Sequence, residues 1–528
     1  MRKLYENGTI LTMETREPAE AVLTEDGRIL AVGESRELRE LAGDAERVDL
    51  AGHTLLPAFL DPHSHFTAAA NGMLQANLGE CVSFAEIQET ITAFIRERDI
   101  PAGQWVVAQG YDHNLLAEKS HPTLALLDRA APCNPLLLQH KSGHMGVVNS
   151  QGLARLGITP QTPAPSGGVI EVKDGRLTGY LEENAFIQYQ KRIPMADLAD
   201  LMDAYRKAQE LYLSHGIATV QEGLLAPQMI PLYQAMLSQH LLRVDLVGYA
   251  EEQSRWEVCR AFPDHIRRYR DHFKLGGCKI FLDGSPQGRT AWLRSPYAGE
   301  ASYCGYPTMT DEQVLSAVRH AAEEGMQLLA HCNGDAACAQ LLRCVKQAEG
   351  EGIDAAALRP VMIHAQLLGR DQMEAVRRTG ILPSFFVAHV YHWGDVHIRN
   401  FGMERARFIS PAASALRLGI PFTFHQDTPV LPPDMMETVW CAVNRRTRDG
   451  ALLDGEAVDV WEALRAVTVN GAYQYFEEDR KGTIAPGKSA DFVVLDRNPL
   501  AAEPMGLREI RVLATIKEDD CLWKAKDC

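Results

Sequence analysis

Short apolar runs recur through the middle of the chain, each followed by a more polar stretch with helical spacing. After the first run, Leu55-Leu56-Pro57-Ala58-Phe59-Leu60, the predicted strands are 217–222, 243–248, 277–282, 326–331, 360–364, 382–387 and 421–427. Runs this short and β-branched, bounded by turn residues, read as strands buried on both faces. Segments 311–324 and 371–379 carry helical patterning between them. Eight β–α alternations predict an α/β chain built around a closed (β/α)8 TIM barrel.

The two ends read differently. Residues 21–33 form a hairpin pattern around Asp26-Gly27, and Asn7-Gly8 and Ala51-Gly52 punctuate further short strands. Near the other end, a turn-rich stretch from Gly482 leads into the apolar run 490–496, and 511–516 is expected to pair with the last residues. We therefore expect a small β-sandwich domain drawn from both termini, residues 1–56 and 476–528, around a barrel at 57–475. Residues from about 66 to 215 exceed one crossover and are read as a large insertion after barrel strand 1. Its runs 105–109 and 135–139 read as strands, and it is expected at the C-terminal mouth of the barrel.

Composition narrows the function classes. The 528 residues carry 53 Lys+Arg against 69 Asp+Glu, a net charge of −16. That balance argues against a nucleic-acid partner and against an anionic membrane surface and says little about the small-molecule substrate that is the expected partner. No apolar stretch is long enough for a membrane span. The N-terminus lacks a signal-peptide pattern, and the 11 cysteines are scattered without C-x-x-C spacing. Together these read as a cytoplasmic protein with reduced thiols. Assembly is left open, with a homodimer as the candidate.

The chemistry sits at predicted strand ends. His63 and His65 stand one residue apart after the first run, and alternate residues on a strand share a face. Neutral imidazole ligates zinc and similar ions. Lys279 lies on the fourth strand, His331 ends the fifth, His364 the sixth and Asp427 the eighth, all at the end where such barrels place their active sites. A lysine buried beside dications is favoured neutral. It can then add carbon dioxide, and the resulting carbamate offers one oxygen to each of two metals. Two such metals would polarise a carbonyl and acidify a shared water, and an aspartate beside that water could accept its proton.

Five motifs, Pro57-Ala58-Phe59-Leu60-Asp61-Pro62-His63-Ser64-His65, Lys279-Ile280-Phe281-Leu282-Asp283-Gly284-Ser285, His331-Cys332-Asn333-Gly334-Asp335, Ile363-His364-Ala365-Gln366 and Gln426-Asp427-Thr428-Pro429, resemble in type and order those of the amidohydrolase superfamily, and more closely its amidohydrolase-3 branch. The resemblance spans nearly the whole chain. It implies a metal-dependent hydrolase, with His63 and His65 on one metal, His331 and His364 on the other, and Asp427 binding metal and shuttling the proton. The expected cofactor is two Zn2+, with Fe, Mn or Ni, or a single metal, as alternatives, and Lys279 as the carbamate bridge. The expected reaction is cleavage of a non-peptide carbon–nitrogen bond, a linear amide or N-formyl or N-acyl group, by metal-activated hydroxide. N-substituted formamide deformylation is the nearest named activity of the branch. Deamination, cyclic-amide opening or lactone hydrolysis remain open on the same scaffold, as does an inactive binding scaffold. This chain has His425-Gln426-Asp427 where the branch more commonly resembles Gly-Ser-Asp.

Other residues have two readings. Arg289 is a candidate for a substrate carboxylate or a loop pair with Asp283, and Asp283 is also the ordinary salt-bridge candidate for Lys279. His144, His389 and His392 are assigned to substrate binding. Asp335 is read as a helix cap, Glu222 stays open between pocket acid and helix-start charge, and His113, His121 and His215 are read as surface or core residues.

Overall fold

The computed structural model describes residues 1–141, 144–194 and 197–526. The chain forms two compact units, residues 1–67 with 208–528, and residues 68–207.

In the first unit, eight parallel strands run in one curled sheet: β1 (Phe59–Leu60), β2 (Ile217–Leu225), β3 (Asp245–Glu251), β4 (Phe273–Phe281), β5 (Gln327–Cys332), β6 (Val361–His364), β7 (Leu382–Phe385) and β8 (Thr423–Phe424). Each pairs with its sequence neighbour. Beyond the first and last strands the edges meet, where His65 N–H donates to the Thr428 carbonyl at 2.8 Å. This is a TIM-like barrel. Leu60, Val247, Leu329, Val361, Ile363 and Leu382 meet Tyr475 in one buried cluster, so the barrel is filled rather than open. Helices between the strands have ordinary local causes: Thr310 and Gln313 form a capping box ahead of Asp311–Glu323.

One expectation is corrected. The run 55–65 is not one strand. Thr54–Pro57 pairs antiparallel with Phe492–Leu495, while Phe59–Leu60 joins the barrel. Ala58 N–H donates to the Asp491 carbonyl at 2.9 Å and Phe59 N–H to the Gly216 carbonyl at 2.9 Å. Pleat alternation therefore does not set the histidine pair, because His63 and His65 lie past the strand.

The terminal residues form two sheets. One orders Arg28–Gly33, Ala21–Glu25, Arg2–Glu6 and Glu46–Asp49; the other orders Thr9–Ile10, Thr54–Pro57, Phe492–Leu495, Val512–Lys517 and Asp520–Lys524. Tyr5, Val22 and Ile29 of the first share an apolar core with Leu55, Phe492, Val494 and Ile516 of the second.

The second unit carries a six-stranded sheet in which Val106–Tyr111 and Leu136–His140 run parallel. Leu136 and Leu138 pack in one core and Leu137 in another, so both faces are covered. Among the described residues no helix is long and apolar enough to cross a membrane, and no cysteine is in a disulfide.

Candidate metal centre

The barrel strands deliver a connected set of donors. Asp427 Oδ1 lies 3.4 Å from His63 Nε2 and 3.4 Å from His65 Nε2. Lys279 Nζ stands 3.3 Å from His63 Nε2. His364 Nε2 faces His331 Nδ1 at 3.1 Å, and one ligand atom each of His63, His364 and Asp427 lies within 4.8 Å of the others. The six residues singled out from the sequence, His63, His65, Lys279, His331, His364 and Asp427, thus form one continuous group.

Local backbone and packing aim these side chains. His364 and Asp427 have φ of 72° and 56°, in the left-handed region that non-glycine residues rarely occupy. Such strain persists only where the surroundings hold it, and it collects at functional sites. At Gly223, by contrast, the need is for space: a Cβ there would fall 2.7 Å from His63 Cε1. Gln221 fixes His63 by meeting its Nδ1 at 2.6 Å, which leaves Nε2 turned toward Asp427. Glu222 accepts from Thr67 N–H at 2.7 Å and Tyr233 hydroxyl at 3.1 Å, and sits 3.9 Å from His65 Nδ1. Glu222 is thus buried beside the histidine segment and accepts from an N–H in the first turn of the helix Phe66–Gly72.

The charge states suit a cation. Burial, then neighbouring Lys279, holds the His63 imidazole well below its usual range. Burial, then His331, does the same to His364. Burial, then Lys279, brings His331 down to about 4. Burial would raise Asp427, but the approach of His65, then of His63 and His364, overcomes it, and the carboxyl stays well below its ordinary value. Neutral imidazoles beside an ionised carboxylate are what a metal requires. Asp427 Oδ1 is also buried without a hydrogen-bond partner. Donors on a tetrahedral zinc, at bonds of about 2.0–2.1 Å, stand about 3.3 Å apart, close to the two separations seen at this oxygen. The donor set therefore fits a divalent ion.

Lys279 has no part in an Asp283 ion pair. Asp283 accepts backbone N–H groups from Trp292 at 2.9 Å, Asn333 at 2.9 Å and Gly334 at 2.7 Å, and burial pushes its carboxyl up to about 7. Burial, opposed by Asp427, lowers the Lys279 amine to about 8. Nor does Asp283 pair with Arg289, whose guanidinium bonds Glu300 at 2.7 Å. Asp335 is not the cap either. Gly334 occupies that position, and Asp335 holds Arg294 through its N–H at 2.9 Å and Nε at 2.8 Å.

Of the remaining candidates, His389 approaches the centre through Phe386, whose ring lies 4.5 Å from His389 and 5.3 Å from His425. His392 is turned to Glu437 at 3.5 Å and Arg448 at 3.3 Å. His144 belongs to the second unit, where it meets Glu183 at 3.0 Å.

Sequence reading missed His425 as a site residue, although it noted the unusual tripeptide. The ring is fully buried, with centroids 5.2 Å from His63 and 5.1 Å from His364, and its Nε2 lies 3.1 Å from His364 Nδ1. A fourth histidine-bearing strand end was the available signal.

A barrel with imidazoles and a carboxylate gathered at its strand ends defines a hydrolase of the metal-dependent kind. The chain belongs to the amidohydrolase family, whose model matches residues 46–522. It is 29% identical to the putative amidohydrolase YtcJ of Bacillus subtilis (strain 168), covering 98% of each chain. It is likewise 29% identical to the N-substituted formamide deformylase of Arthrobacter pascens, covering 96% of each. In fold it is similar to an uncharacterized metal-dependent hydrolase from Pyrococcus furiosus, with a TM-score of 0.76 at 24% identity over 95% of this chain and 100% of that one.

Proposed function

We propose that this protein hydrolyses a carbon–nitrogen bond in a small linear amide, of the N-formyl or N-acyl type, at the barrel centre. The observation that supports it best is the buried, unpartnered Asp427 Oδ1 held 3.4 Å from both His63 Nε2 and His65 Nε2. His63, His65, Asp427, His331 and His364 would hold divalent metal, two Zn2+ in our reading. When bound, such ions polarise a carbonyl and bring water's pKa toward neutrality. Asp427 would take the proton from the attacking water and return it to the departing nitrogen. Lys279, buried and with its amine lowered to about 8, would add carbon dioxide through its unprotonated form, releasing a proton, to become a carbamate with two ligand oxygens. His389, through Phe386, would border the acyl group, and Arg289 and His392 remain proposed substrate contacts. We read the two terminal sheets as one β-sandwich and residues 68–207 as the insertion after strand β1. The formyl preference rests on the Arthrobacter pascens relative's name.

The test is a turnover panel of N-substituted formamides, N-acyl amino acids, lactones and aminated heterocycles, run on metal-loaded protein. Formamide or acyl-amide turnover supports the proposal. Turnover confined to lactones or to ring deamination overturns it.

A further inference from the structure

The second unit has a donor cluster of its own. Tyr111 and His140 end two parallel strands, and a bulge after Gln139 brings them into register. Asp112 and His113 follow the first strand directly. His113 Nδ1 lies 3.1 Å from His140 Nε2, which lies 3.7 Å from Asp112 Oδ1, and one ligand atom of each falls within 4.8 Å of the others.

The surroundings orient these groups. Tyr111 sets its ring edge-on to His140 at 5.1 Å and its hydroxyl 2.9 Å from His121 Nδ1. His121 in turn lies over His113 at 4.3 Å with 33° between the rings. Asn114 N–H and side-chain amide both donate to Asp112 Oδ1, at 2.9 and 3.1 Å, which fixes the carboxylate. Ligand sites favour the carboxyl ends of parallel strands, and two imidazoles with a carboxylate are a donor set for borderline divalent ions, zinc foremost.

We propose that Asp112, His113 and His140 form a second divalent transition-metal site, of the zinc class, separate in its ligands from the barrel centre. Water would complete the coordination, since Asp112 and His140 keep 24% and 9% of their side-chain surfaces exposed. His121 and Tyr111 position the ligands and do not themselves bind.

The full-length protein, stripped with chelator and dialysed against Zn2+, should bind one equivalent more than a His113→Ala/His140→Ala variant, counted by elemental analysis. Asp112→Asn should weaken that equivalent at least tenfold. Circular dichroism of the stripped proteins checks that the variants fold. Crystals of the wild-type protein should show anomalous density at the zinc edge between His113 Nδ1 and His140 Nε2, a readout that needs no variant. Unchanged stoichiometry in the folded double variant, or absence of that density from zinc-saturated crystals, overturns the site.

Discussion

Ser384 Oγ lies 2.9 Å from His425 Nδ1, so the ring presents its other nitrogen to His364 Nδ1 at 3.1 Å. The pair sets which nitrogen of His364 is left for a metal. Outer partners of ligating histidines typically contribute 10–100-fold to metal affinity or activity. Ser384→Ala and His425→Asn should each lower metal affinity by about that range while the protein stays folded. Metal competition with a chromogenic chelator measures it, and unchanged affinity in both variants would remove His425 from the centre.

Asp427→Asn replaces the carboxylate with an amide, which neither balances a cation nor relays a proton. We expect kcat to fall by about 10²–10⁴, the usual contribution of general acid–base catalysis, with bound metal reduced as well. The pH–rate profile of residual activity should lose its acidic limb.

Chelation of the wild-type protein should abolish turnover, and divalent metal should restore it. If Lys279 carries a carbamate, reactivation should be faster with added bicarbonate, whereas Lys279→Gln should regain less metal under either condition. Full bicarbonate-independent reactivation would leave the lysine a bare amine.

Gly223→Ala tests the tolerance of the centre. The new methyl would sit 2.7 Å from His63 Cε1 and 3.0 Å from the Ser64 carbonyl, so His63 must shift. Core overpacking costs about 1–3 kcal/mol, and displacement of a ligand should reduce metal content more sharply than stability. Parallel metal analysis and urea unfolding separate the two.

At the opposite end of the barrel, Lys481 bonds Asp245 and Glu477, Lys274 bonds Glu477, and Lys517 lies 3.3 Å from Asp245, all of them buried. Burial raises both carboxyls, but the lysines outweigh it and hold Asp245 well below its usual value and Glu477 below its own. Depressed carboxyls contribute their full stability above their unfolded range, about pH 4–4.5, and lose it as pH falls through the folded values. Breaking one side of such a network typically costs about 3–5 kcal/mol. Lys481→Met should show that loss near neutral pH in urea unfolding, and the deficit against wild type should shrink as pH drops below about 4.

Much of this was legible in the sequence because barrel strands, buried on both faces, are near-continuous apolar runs. All eight surfaced that way, and the ligand candidates stood at their ends. The first run misled because Ala58 changes the chain's sheet without changing its hydrophobicity. Apolar patterning reports burial and cannot say which sheet does the burying. His425 was passed over because its role lies in contacts to Ser384 and His364, which are distant in sequence. Asp335 was misread as a cap, and the partners of Asp283 went unrecognised, for a related reason. Their partners are backbone N–H groups and Arg294, and backbone donors leave no mark in residue type.

The hand-over at Ala58 has a consequence for how the molecule comes to life. The segment bearing His63 is tethered through Asp491 and the strand that follows it, made late in synthesis. A chain still lacking that strand lacks the Ala58 hydrogen bond to Asp491 and the partner of Thr54–Pro57, two of the contacts that hold the lead-in to the first imidazole pair. Engineering that opens or replaces this C-terminal region would reach the chemistry without touching a single ligand.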